Sequence, residues 1–100
     1  MNKSFGNLMR EQRESKRRLL REVAAELKMD TALLSKIERN ERKPNKEQVL
    51  AFAKYYQVKS DDFLVAWLSD KLAYEVQDED LALKAMQMAE EKIKFKKGKK

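Results

Sequence analysis

Four residues at helical spacing, Thr31, Ala32, Ser35 and Lys36, are short or flexible side chains that suit one face of a helix lying against the edges of bases. Cations gather on either side of them. Lys16, Arg17 and Arg18 form a run, with Arg21 following, at the mouth of a helix whose N-terminus would itself attract anions. Arg39, Arg42 and Lys43 come just after and lead to Pro44. Donors to base edges and cations to phosphate are the two halves of nucleic-acid recognition. A charged loop is more often simply solvated, however. On periodicity alone, a plain helical hairpin with a soluble outer face fits the same residues equally well.

The element that must position these side chains runs from Leu20 to Asn40 and reads as two short helices joined by a tight turn. Val23, Ala24 and Leu27 share one face of the first helix. Asp30 is placed to cap the second, whose apolar stripe is Leu33, Leu34 and Ile37. Ala24 is small enough for the second helix to cross close over the first at a steep angle.

The chain has 100 residues, with 23 Lys and Arg against 17 Asp and Glu and a formal charge of +6. The excess of positive charge lies before Pro44 and at the C-terminal end, while the middle is slightly acidic. Polyanions are therefore plausible partners. With neither Cys nor His, a disulfide framework is excluded and a zinc site would need carboxylates alone, so no metal or other cofactor is expected. The usual general base is missing too, and no phosphate-cradling glycine loop is visible, which argues against an enzyme. No apolar run reaches signal-peptide or membrane-spanning length, and the chain reads as cytoplasmic. Two glycines, one proline and abundant Leu, Ala, Glu and Lys point to an all-α protein.

The segment Val23-Ala24-x-x-Leu27-x-Met29, followed by Leu34-Ser35-Lys36-Ile37-Glu38-Arg39-Asn40 and Arg42-Lys43-Pro44, resembles the Cro/phage-repressor (Xre-type) helix-turn-helix family. The resemblance extends from about Phe5 to Leu64. It implies a lambda-repressor-like helix-turn-helix domain of about five helices, a structural ion pair between Arg13 and Glu38, and contact of the Arg39 to Lys43 loop with the DNA backbone. Leu19 and Leu20 depart from the family's polar residues, which shifts the expected phosphate contacts there to Arg18 or Arg21. Lys28 and Asn40 stand where glycines are common. The lysine makes a left-handed turn costly, and the asparagine is the milder change.

Ser4 is expected to cap a first helix burying Phe5, Leu8 and Met9, with Gln12 on the same face and an end near Lys16 or Arg17. Asn45 is expected to cap a helix over 46–56 with Val49, Leu50, Phe52 and Ala53 inward. Ser60 or Asp61 then starts another, in which Phe63, Leu64, Trp67 and Leu68 close the core. Base stacking by Trp67 or the tyrosines is the lesser reading, since aromatics at helical spacing are usually core.

The helix-turn-helix domain is thus assigned to 1–68, a C-terminal helical extension to 69–95, and a lysine-rich disordered tail to 96–100. The break at Gln77 to Asp80 precedes a helix with Leu81, Ala82, Ala85, Met86, Met88, Ala89 and Ile93, its early acids and late lysines suiting the helix dipole. This is more apolar surface than a solvated tail requires, and a homodimer is expected to form through it. The combined reading is a sequence-specific double-stranded DNA-binding transcriptional regulator, with Thr31, Ala32, Ser35 and Lys36 on base edges and Arg18, Arg21, Arg39, Arg42 and Lys43 on phosphates. Its size and layout resemble restriction-modification controllers and small phage-type repressors. The alternative is a protein-interaction module such as an antitoxin or a transcription-factor adaptor.

Overall fold

The computed structural model describes residues 3–98. Among them are six helices and no strand: α1 Phe5–Ser15, α2 Leu20–Glu26, α3 Thr31–Glu38, α4 Lys46–Tyr56, α5 Ser60–Val76 and α6 Ala82–Gly98. Local signals explain the helix starts. The Ser4 hydroxyl accepts from the Asn7 amide at 3.2 Å. Asn45 and Gln48 form a reciprocal capping box at 2.8 and 2.9 Å. At α2 only half of such a box exists. Glu22 accepts from the Leu19 amide at 2.8 Å, and a leucine has no oxygen to return. Asp30 marks the start of α3, but its carboxylate makes no cap hydrogen bond.

The first four helices all stop in the same way, without a glycine. Arg17, Lys28, Asn40 and Gln57 adopt positive φ of 55° to 63°. In each case the following amide reaches back five residues, as in Arg18 to Arg13 at 3.0 Å and Met29 to Ala24 at 2.9 Å. This satisfies carbonyls the helix end would leave open, at the cost of a crowded Cβ. Lys28 therefore keeps the left-handed turn that its side chain disfavours.

The core gathers around α1. The Phe5 ring meets Phe52 and Phe63 edge to face at 5.8 and 5.7 Å, and Phe52 stacks on Tyr56 at 6.4 Å. Met9, Val23, Ala24, Leu34, Ile37, Val49, Ala53 and Trp67 complete it. Gly6 is where α1 crosses the end of α3. A Cβ there would run into the Ile37 carbonyl and the Asn40 side chain, so no larger residue fits without moving backbone.

Two inward assignments fail. Leu50 is 40% exposed and Leu68 48% exposed, because both sit on the rim of their helices, beyond the faces that α4 and α5 share. The expected end of the helix-turn-helix domain at residue 68 falls within α5. The α5 helix runs unbroken to Val76, and its later part still grips the domain, with Asp70 accepting the Phe5 amide at 2.8 Å. The helix α6 follows a turn over 77–81, so Asp78, Glu79 and Asp80 precede its first turn instead of occupying it. It also extends to Gly98, helical through Lys96 and Lys97 where a disordered tail was expected. The last two lysines of that tail lie outside the described residues.

Candidate nucleic-acid interface

The packing of α3 decides which of its side chains remain available. Leu34, Ile37 and Glu38 are buried against α1 and α2, which turns Ala32 and Lys36 to the opposite, exposed side. Thr31 is exposed on one flank, and Ser35 is half-buried beside it. Ala24, 1% exposed, supplies the close crossing of α2 and α3. A recognition helix needs this arrangement: one face anchored, the other carrying short side chains and a lone cation.

Arg13 and Glu38 fix the angle of α3 to α1. The Arg13 guanidinium donates from Nε to Glu38 Oε2 at 2.8 Å and from Nη2 to Oε1 at 3.0 Å. Its Nη1 donates to the Arg18 carbonyl at 3.0 Å, which holds the start of the α1–α2 connection. The Glu38 side chain is only 4% exposed, so the fork is the carboxylate's compensation for leaving water. The hydrogen bonds to Glu38 hold the Arg13 pKa above its ordinary value, against the smaller opposing effect of burial. Nearby, burial first and the Glu38 charge second push the Tyr56 phenol well above its usual range. The Tyr56 hydroxyl makes no hydrogen bond among the described residues.

The five cations assigned to phosphate are all exposed, but they are not equivalent. Arg18, Arg21 and Arg42 form no ion pair among the described residues. Arg39 folds back, its Nε donating to the Ser35 carbonyl at 3.3 Å and its Nη1 lying 3.3 Å from Glu41. Lys43 rests with Nζ 3.8 Å from the centre of the Tyr74 ring.

That last contact belongs to a brace the sequence did not reveal. The buried Trp67 indole donates to the Pro44 carbonyl at 2.8 Å, and Lys71 covers its ring at 4.1 Å. The second half of α5 thus clamps the loop after α3 at Pro44 and Lys43. An X-Trp and a Pro 23 residues apart carry no sequence signal for this. Trp67 is accordingly core, with its polar edge spent on the loop backbone.

No curated protein and no solved structure matches the chain. A family described as Helix-turn-helix matches residues 9–63, more than half of the chain, and spans α2, α3 and the loop that α5 clamps. No described helix is long and apolar enough to cross a membrane. The buried Arg13–Glu38 fork, the close α2–α3 crossing and this match agree, and the chain belongs to the Cro/C1-type, Xre-like helix-turn-helix family of DNA-binding regulators.

Proposed function

We propose that the protein is a sequence-specific transcriptional regulator that binds a near-palindromic operator in double-stranded DNA as a homodimer in the cytoplasm. The observation carrying this reading is the outer face of α3, where Ala32 and Lys36 stand exposed opposite buried Leu34 and Ile37. In the major groove, Lys36 donates to guanine O6 or N7, Thr31 or Ala32 touches a thymine methyl, and Ser35 makes a short contact at the edge. Arg18, Arg21, Arg39, Arg42 and Lys43 hold phosphates and set the register. Arg39 first has to leave Glu41, an exposed pair that costs little to break. No step requires a cofactor or a catalytic group.

Homodimerisation is supported by the apolar surface of α5 and α6, where Leu72, Leu83, Met88 and Ile93 are each about half exposed or more. The same surface would serve a different protein, which is the antitoxin or adaptor reading. Enrichment from a random duplex pool at physiological salt separates the two. A palindromic motif with half-site centres about 10 bp apart, or a multiple of one turn, is the expected result. Recovery of nothing above background would overturn the regulator reading. On the selected site, Lys36→Ala relaxes preference at one base position, whereas Arg42→Ala weakens all sequences alike. Equal losses on operator and random DNA for both variants would refute the assignment.

A further inference from the structure

Where the second half of α5 lies across the start of α1 and the loop after α3, it leaves a half-enclosed cavity of about 240 Å³. Ile37, Pro44, Trp67 and Tyr74 give it an apolar wall. An apolar cavity of about 150 Å³ already takes benzene, so one aromatic ring fits here with room for a small substituent. The charge around it is one-sided. Arg42, Lys43 and Lys71 line it against a single carboxylate, Asp70, and that carboxylate already accepts the Phe5 amide at 2.8 Å. Arg42 forms no ion pair among the described residues. Lys43 and Lys71 have partners of their own, but these are ring faces, Tyr74 at 3.8 Å and Trp67 at 4.1 Å. An ammonium resting on a ring can turn to an incoming anion without stranding a charge. An apolar wall with a few convergent polar groups is how small-molecule sites are built.

We propose that this cavity binds a small aromatic carboxylate, and that the bound anion weakens the protein's hold on DNA. The ring displaces water from the apolar wall, and the carboxylate meets the three cations. An amine would find no free countercharge, because Asp70 is spent on α1. A nucleotide is too large, since sites for ligands of that size run from about 300 Å³ upward. The effect on DNA rests on the phosphate role given above to Arg42 and Lys43: a cation engaged by the ligand is lost to the backbone. The coupling is short. Trp67 lines the cavity and also holds the loop through the Pro44 carbonyl at 2.8 Å.

Trp67 is the one tryptophan of the chain, so its indole N–H resonance in the full-length protein reports the cavity directly. Titration with sodium benzoate, at ionic strength held constant with chloride, should move that resonance with half-saturation at about 1 mM. Benzamide, of the same shape but uncharged, should bind at least about fivefold more weakly. Lys71→Gln should weaken benzoate about threefold, and Ala73→Phe, which fills the cavity from an exposed position, should abolish binding. Unchanged melting will show both variants folded. On the operator recovered by enrichment, saturating benzoate should weaken the native protein about tenfold and leave Ala73→Phe unaffected. No movement of the Trp67 resonance by about 10 mM benzoate, or equal binding of benzamide, overturns the site. Benzoate binding with unchanged operator affinity overturns the coupling to DNA. A chain that binds no duplex at all brings down the regulator reading instead, and the Trp67 titration still judges the cavity.

Discussion

Replacing Arg13 with methionine preserves most of its stem and removes the fork that neutralises Glu38. The carboxylate, 4% exposed, is then left with neither countercharge nor its two guanidinium hydrogen bonds, and the Arg18 carbonyl loses a donor. Breaking a buried pair from one side costs about 3–5 kcal/mol. Arg13 itself is 15% exposed, so water can reach the vacated space and the lower end applies, about 3 kcal/mol. For a domain of this size that lowers the melting temperature by roughly 12–24 °C. Replacing both partners, Arg13→Met with Glu38→Leu, removes the stranded charge and should recover most of the loss. Thermal and urea unfolding followed by circular dichroism on both variants and on Glu38→Leu completes the cycle. A loss below about 1 kcal/mol for Arg13→Met, or a double variant no more stable than the single, would refute the claim that the pair is buried and coupled.

Three further outcomes follow from the same geometry. Tyr56→Phe should stabilise the fold by about 1 kcal/mol, because it deletes a buried hydroxyl without a hydrogen bond. It should also flatten the alkaline limb of stability. The folded phenol titrates above its unfolded value of about 10, so its stability is full below that pH and is lost as pH rises further; unfolding titrations of the two proteins test this. Gln57→Gly relieves a left-handed residue worth about 1–2 kcal/mol and gives back about 0.4–1 in unfolded-chain entropy, for a net gain near 0.5–1 kcal/mol by urea unfolding, while Gln57→Ala gains nothing. Tyr74→Leu removes the ring that orients Lys43, so operator affinity should fall about two- to fivefold, with no further loss when Lys43→Ala is already present. Additive losses would show that the contact does not act through Lys43.

Much of this protein was legible in one dimension because it is built from local signals. Ser4 and Asn45 each find their cap partner three residues on, and the stripe of Leu34 and Ile37 is set by helical period alone. The outer face of α3 follows from that stripe, because burying one side of a helix leaves the other to solvent. Resemblance added the pairing of Arg13 with Glu38, which no spacing within one helix could supply. What the chain order hid were contacts between residues distant in sequence. Leu50 and Leu68 carry the right character for a core but lie beyond the shared face of α4 and α5, and only the packing angle of those helices puts them outside. Asp30 sits where a cap belongs yet leaves its carboxylate unused. The ties that α5 makes beyond residue 68 were hidden for a related reason. The residues after 68 look like an extension, yet Asp70 bonds to α1 and Tyr74 meets Lys43, and those ties exist only once α5 lies across the loop at Pro44. Sequence by itself determined where α1 to α5 begin and the centre of each one's apolar face, since both depend on neighbours within a turn or two. Tertiary structure decided where those faces meet and which cations stay unpaired, because these depend on surfaces brought together from opposite ends of the chain.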